Sequence, residues 1–355
     1  MVEARKPRKK PRWKEIYENL ICQLKNFHFG ERFYTIAEVC EKYKVSHITA
    51  TKILTELARD GFVEKKTKVG TRVGYIQEKP EIKLVIHDSL FSDNRFLFNP
   101  LIGRVYSGIT SSLGKLKLNC DIVAQDYFTS IPLTDKNKVG FLMFESLTPK
   151  SLAFLKEKSL PFVLLHSSAK KEGISSVRPD FKKGAYLATK HLISLGHTRI
   201  GLITGPITSP CFFPRFQGYL KALREAKIKF DWSLVKETGG ANTEEDTETI
   251  RGFLFVKTPP TAIFASSDQK AMHLIKYCHD VGIRIPEDLS IVGLDNVYDS
   301  SLTDPPLTTI DTGLTYLGVK GVGLLLETML GKKRNFCQDI VIKPELVVRE
   351  STKKP

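Results

Sequence analysis

The chain has no apolar run long enough to cross a bilayer, which argues against a helical membrane protein. Its opening residues, M-V-E-A-R-K-P-R-K-K-P-R-W-K, are basic but have no hydrophobic segment behind them, so they do not read as a secretory signal and a cytoplasmic location is expected. Cysteine is sparse: Cys22, Cys40, Cys120, Cys211, Cys278 and Cys337 stand singly, with no C-x-x-C pair and no His at metal-ligand spacing. They read as reduced thiols, and no metal site or cofactor is expected. No G-x-G-x-x-G opens the first helix, which weighs against a dinucleotide-dependent enzyme. Ser167 beside His166, or Asp180 near His191, could be combined into a dyad, but no nucleophile-elbow sequence frames either. No catalytic residue is assigned, and the chain is not expected to be an enzyme.

What is present is size and positive charge. With 355 residues and 41% hydrophobic content, the chain can bury two or three compact cores. The net charge of +15 is uneven: residues 1–80 hold 18 Lys and Arg against 10 Asp and Glu, a net +8, while the other 275 residues carry +7. A basic excess gathered at one end is the footprint of a polyanionic partner.

Beyond residue 80, short apolar strands alternate with helix-length segments. Strands are expected over Ile82–His87, Ile122–Gln125, Gly140–Phe144, Phe162–His166, Arg199–Thr204, Thr261–Ser266 and Leu289–Leu294. Such alternation predicts an α/β domain with mostly parallel sheets covered by helices. The sequence K-H-L-I-S-L-G-H-T-R-I-G-L-I-T-G-P, from Lys190 to Pro206, holds the end of a helix, its stop at Gly196 and the next strand. P-T-A-I-F-A-S-S-D-Q-K-A-M from Pro260, I-P-E-D-L-S-I-V-G-L-D-N from Ile285 and P-P-L-T-T-I from Pro305 repeat that logic. In this order these segments closely resemble the effector domain of LacI/GalR-type transcription regulators. The resemblance covers roughly residues 81–350 and implies two periplasmic-binding-protein-like lobes holding a small ligand between them.

The first 80 residues have a different rhythm. Ile16, Tyr17, Leu20, Ile21 and Leu24 share one helical stripe; a second helix is expected over Ile36–Tyr43, with Thr35 as N-cap and Glu38 at capping-box spacing. Ser46 can cap a third helix, whose Ile48, Ile53, Leu54 and Leu57 are expected to face inward and which Gly61 ends. Phe62–Lys66 and Arg72–Ile76 follow as two strands around a T-K-V-G-T tip, the pattern of a helix-turn-helix with a β-wing. The stretches I-A-E-V-C-E-K-Y, V-S-H-I-T-A-T-K, L-A-R-D-G-F and K-V-G-T-R-V resemble the GntR-type winged helix over roughly residues 13–76. The sequence departs from that family at Ala37, His47 and Thr51, where arginines are common, and at Lys68, where the wing has its first glycine. Base reading is therefore expected to fall to His47, Thr49, Thr51 and Lys52, with Lys65, Lys66, Lys68 and Arg72 on phosphates or the minor groove. Arg5, Lys6, Arg8, Lys9, Lys10 and Arg12 belong to a basic tail (residues 1–12) expected to be disordered. Residues 77–81 are expected to be a short linker, without a helix-length hinge that could wedge the minor groove.

For the effector domain, the resemblance implies that Arg215, in P-R-F-Q-G-Y, donates to ligand oxygens and that Asp295, in V-G-L-D-N, closes on the ligand from the opposite strand end. Ser267 and Asp268, in A-S-S-D-Q, fall on the family's N-D pair, and Asp268 can alternatively brace the loop. In the first lobe N-P-L-I-G-R-V-Y-S-G-I matches the family frame, with Leu101 and Ile102 where aromatics are usual. Phe144 and His166 lie at strand ends and are candidate pocket residues. An extra stretch, D-S-L-F-S-D-N-R-F-L-F, including Phe91, could fold over the cleft. The expected protein is a ligand-responsive repressor of a carbohydrate or related catabolic operon, with double-stranded DNA and a small metabolite as partners. It is expected to be a homodimer pairing through Leu101–Leu113 and Ala271–Val281, with no membrane partner. The alternative is a solute-binding receptor of a transport system.

Overall fold

The computed structural model of the chain describes residues 11–24, 27, 31–66, 70–73, 80–88, 99–114, 116, 118–131, 139–145, 147–168, 172–239, 244–329 and 337–355. It divides into two units, residues 1–80 and 81–355. Residues 1–10 of the expected tail, Lys68, linker residues 77–79 and the stretch containing Phe91 lie outside the described residues, whereas Arg12, expected in the tail, is the first residue of a helix.

In the first unit, helices α1 (Arg12–Gln23), α2 (Ile36–Tyr43) and α3 (His47–Arg59) precede an antiparallel pair, β1 (Val63–Lys66) and β2 (Gly70–Val73), with Val63 opposite Val73 and Lys66 opposite Gly70. Thr35 caps α2 in a full capping box: its hydroxyl accepts from Glu38 N, and the Glu38 carboxylate accepts from Thr35 N at 2.7 Å. Ser46 caps α3 by accepting from Thr49 N. Ile16, Leu20, Leu24, Val39, Ile53, Leu54, Leu57, Val63 and Val73 bury their side chains together, and each such burial contributes about 1.5–3 kcal/mol before chain entropy is subtracted. One expectation fails. Ile48 does not face this core and is 81% exposed. The inward face of α3 is set by Ala50, Ile53, Leu54 and Leu57 at spacings of three and four, and position 48, five residues before Ile53, turns away from it.

The second unit is built on two parallel sheets. The first lobe holds six strands: β3 (Glu81–Ile86), β4 (Cys120–Ala124), β5 (Val139–Phe144), β6 (Phe162–Leu165), β7 (Ser176–Pro179) and β13 (Asp339–Ile342), in the order β13-β7-β6-β5-β3-β4. The second lobe holds β8 (Ile200–Thr204), β9 (Val235–Glu237), β10 (Ala262–Ala265) and β11 (Ser290–Val292), in the order β11-β10-β8-β9. Every residue of β5 and β8 is buried, as strands covered on both faces require. The chain crosses between lobes three times: after Pro179, around Gly313 and after Ile342. An antiparallel pair, β12 (Thr309–Asp311) with β14 (Glu345–Val347), lies at the later crossings. The seven strands expected from the sequence are present to within about two residues; the others are short and each carries a charged residue that breaks the apolar run.

Helices pack closely on these sheets. In the first lobe α4 (Pro100–Gly114) meets α10 (Leu314–Met329), where a Cβ at Gly108 would collide with the Thr315 backbone. In the second, α6 (Phe181–Ser194) meets α7 (Phe213–Glu225), where a Cβ at Gly218 would collide with the backbone of Lys182 and Tyr186. No helix among the described residues is long and apolar enough to cross a membrane.

Candidate functional site

The strand ends of both lobes converge on one cluster. In the first lobe β5 delivers Glu145 and β6 delivers His166. In the second, β8 ends on Thr204, β10 is followed by Ser266, and β11 leads to Asp295. This is where the switch-point rule for open α/β sheets places ligands. Glu145 (φ 64°), His166 (φ 69°), Asp295 (φ 122°) and Asn296 (φ 50°) all hold left-handed backbone, a conformation that costs ordinary residues about 1–3 kcal/mol and persists where the surrounding fold enforces it.

Arg215 is central and only 3% exposed. It enters from the first turn of α7, its Nη1 donates to Ser266 O, and its Nη2 lies 4.0 Å from Asp295 Oδ1. The guanidinium carbon sits 4.3 Å from the centre of the Phe181 ring and 5.1 Å from that of Phe212. His166 meets Phe181 edge-on at 4.8 Å and stacks on Phe144 at 5.3 Å. A ladder of flat groups, Phe144, His166, Phe181, Arg215 and Phe212, therefore runs from one lobe into the other. His166 Nδ1 is 3.0 Å from Glu145 Oε1, but off the direction a hydrogen bond needs.

Burial pushes the Asp295 carboxyl up to about 8; Arg215 opposes the shift, and the nearby Asp268 and Glu145 charges add to it. Burial also works to raise Glu145, but His166, and after it Arg215 and His87, hold that carboxyl below its ordinary range. Lys270 is desolvated and pushed down to about 8, with its Nζ donating to Thr238 O at 2.9 Å and Thr238 Oγ1 at 2.7 Å. Among the described residues the buried side-chain polar atoms without a hydrogen-bond partner are both His166 ring nitrogens, Arg215 Nε, Thr204 Oγ1 and Ser266 Oγ. All belong to this cluster. Leaving such groups unpaired costs about 1–3 kcal/mol each, so the set matches a ligand carrying several donors and acceptors.

The structure thus brings together Arg215, Asp295 and His166 among the expected pocket residues. Ser267 serves as N-cap of α9 (Asp268–Asp280), its Oγ accepting from Lys270 N at 3.4 Å. Asp268 is fully buried and holds the loop beneath the site, accepting from Val297 N at 2.9 Å and from Thr309 Oγ1; burial raises it to about 6. Phe144 is 3% exposed and packs into the first-lobe core, with its ring also forming the outer rung of the ladder. Glu145, Thr204, Ser266 and Lys270 were not singled out in the sequence. Their signal was their place at or just beyond strand ends; at β5 that rule led to Phe144, but the pleat turns Phe144 into the core and leaves the next residue at the cleft. An open groove of about 650 Å³ lies elsewhere, lined by Asn99, Gly103, Arg104, Tyr298 and Asp299 among others. It lacks the unpaired polar groups that mark the cluster. Beside it Arg104 Nη1 donates to Asn296 O, joining the lobes.

In the first unit the expected base-reading residues occupy the first two turns of α3. His47 and Lys52 are exposed, and Thr49 and Thr51 are half-buried. Their polar atoms find local partners. Thr51 Oγ1 lies 3.4 Å from His47 Nδ1, Thr49 Oγ1 lies 3.0 Å from Ser46 Oγ, and Lys52 Nζ sits 4.3 Å from the centre of the Trp13 ring. Lys65 and Lys66 are on β1; Arg72 is on β2, opposite Glu64.

Residues 189–352 match the family model described as periplasmic binding protein-like domain. The chain is 37% identical over 195 residues to the HTH-type transcriptional repressor PurR of Pasteurella multocida (strain Pm70), covering 55% of this chain and 58% of that protein. It is 40% identical over 172 residues to the PurR repressor of Haemophilus influenzae (strain PittEE), covering 48% and 51%. The chain therefore spans little more than half the length of these curated relatives. Among solved structures, a LacI family transcriptional regulator from Enterococcus faecium with bound ribose superposes with a TM-score of 0.67 at 26% identity, over 78% of this chain and 99% of that one. The transcription regulator CcpA of Lactococcus lactis gives the same score and identity over 78% and 100%.

Proposed function

We propose that this chain, whose larger unit has the periplasmic-binding-protein-like fold of LacI-type regulators, is a ligand-responsive DNA-binding repressor with a winged-helix head. The single observation that carries the ligand half is the unpaired cluster around Arg215, into which both lobes send strand-end residues. The relatives' names support regulation rather than catalysis or transport. The DNA half rests on the three helices and antiparallel hairpin of residues 12–73, on the basic excess of residues 1–80, and on a capped α3 whose first turns face solvent.

The effector is a small neutral or weakly charged metabolite such as a sugar. The unpaired atoms include both donors and acceptors, which the hydroxyls of such a ligand can meet. The protein acts as a homodimer in the cytoplasm, and ligand closure of the lobes changes the spacing of two heads. The stripes expected to pair are largely spent on the chain's own core: Ile102, Val105, Ile109 and Leu113 on α4, and Ala271, Leu274, Ile275 and Cys278 on α9. Tyr298, Leu302 and Tyr316 are exposed and remain available to a partner.

Thermal-shift screening of the full chain against sugars, sugar acids and nucleosides tests the ligand half, since a ligand at 100 times its Kd stabilises by about 2.7 kcal/mol. Failure of all three classes to stabilise the protein counts against the cleft. For the head, Thr49→Ala or Lys52→Ala is expected to cost on the order of 1–3 kcal/mol at a selected site. Replacing Lys65 and Lys66 weakens all sequences alike and flattens the salt dependence.

A further inference from the structure

Of the polar side chains on the first two turns of α3, His47 lies against Thr51, Thr49 against Ser46, and Lys52 against the Trp13 ring. Ile48 stands among them 81% exposed, the most exposed large apolar side chain among the described residues. Among the described residues of its own unit none covers it, and the core that fixes α3 uses positions 50, 53, 54 and 57. A β-branched side chain in a helix is also held close to one χ1 rotamer, so this apolar knob is rigid.

From this we infer that Ile48 is a specificity-determining residue that packs on the C5 methyl of a thymine in the DNA major groove. The inference rests on the proposal that residues 1–80 bind DNA. The major-groove edge of a base pair offers hydrogen-bonding atoms to polar side chains and, at thymine alone among the four bases, a methyl group to an apolar one. Ile48 stands on the helix turns that a helix-turn-helix presents to the major groove. The basic excess of the sequence that contains it, +8 over residues 1–80, favours a duplex over an apolar protein face as the occupant. Unlike the paired hydroxyls and the Lys52 ammonium, Ile48 needs no side-chain rearrangement before contact.

The test uses the full-length protein and an operator selected by it from random-sequence duplexes. Each thymine is then replaced singly by deoxyuridine, which removes the methyl and leaves every hydrogen bond intact. At one thymine position per bound head the wild-type protein is expected to lose about four-fold in affinity, the effect of about one buried methyl(ene) group. Ile48→Ala is expected to bind the thymine operator about as the wild type binds the uracil one, to lose its sensitivity to the replacement, and to bind scrambled duplex unchanged. Because Ile48 is exposed, the variant keeps its melting temperature, and Ile48→Val retains part of the discrimination. If the wild type selects a sequence but no uracil replacement affects it more than Ile48→Ala, the inference is overturned while the DNA-binding reading stands. If the wild type selects no sequence at all, the DNA-binding reading fails and the inference with it.

Discussion

The two lobes line the cleft in different ways. On the second-lobe side Arg215 is tied to Ser266, Lys270 to Thr238, and Asp268 to Val297 and Thr309. These polar groups are held within their own lobe before any ligand arrives. On the first-lobe side the ring faces of Phe144 and His166 dominate, and Glu145 is half-buried against His166. A braced charged face suits orientation and discrimination, because fixed donors pay little ordering entropy on binding. A face of rings suits closure over whatever is oriented, since stacking tolerates variation in the ligand. The difference predicts that second-lobe substitutions change which ligand is bound, whereas first-lobe substitutions change how tightly the cleft shuts.

The largest effect is expected from Arg215→Ala. Loss of hydrogen bonds from a charged donor is worth about 1.5–3 kcal/mol, so effector affinity should fall roughly 10- to 100-fold, read by calorimetry. If first-lobe variants cost as much, the division of labour between the lobes is wrong.

Asp295→Asn comes next and shows in pH dependence. With its folded pKa raised to about 8, Asp295 keeps a proton in the native state that the unfolded chain gives up near its ordinary value of about 4. Over that window the native state binds more protons, so this residue lowers stability as pH rises, by at most about 1.4 kcal/mol per pH unit. The Asn variant lacks this dependence, so its denaturation midpoint relative to wild type should climb between pH 5 and pH 8. A constant difference across that range would mean that Asp295 ionises normally.

Smaller again is Glu145→Gln, which keeps shape and removes charge. It is expected to weaken the effector by about 1 kcal/mol or less, with ligand rank order unchanged; a changed rank order would move discrimination to the first lobe. Ser267→Ala should cost about 1 kcal/mol of stability, the usual loss for an N-cap, with ligand affinity unaltered. A loss of affinity instead would place Ser267 on the ligand after all.

The contrast between the lobes also explains what could be read from the sequence. Second-lobe strands and helices are legible because β8, β10 and β11 are short apolar runs, β8 following the helix stop at Gly196 and β10 leading to the cap at Ser267, and because Arg215 and Asp295 sit in sequences whose order is distinctive. The capping box at Thr35 and the caps at Ser46 and Gly61 were legible from local chemistry. Three things were not. Ile48 reads as core because it is apolar and near a helix start, and only the burial of Ala50 reveals the true face. Glu145 was passed over for Phe144 because the sequence does not show which side of a strand end meets the cleft. Lys270, in the first turn of α9, reads as a solvated lysine until β9, a strand too short to detect, brings Thr238 beneath it.

Under the proposed function, ligand in the cleft controls DNA binding by the head. It is tested most directly by measuring affinity for a selected operator with and without a stabilising effector, in wild type and in Arg215→Ala. Effector is expected to shift the wild-type affinity, the variant to bind the bare operator as wild type does, and effector at the same concentration to leave the variant unmoved. An operator response of equal size in both proteins would contradict it, since the ligand would then act through a site other than the one Arg215 builds.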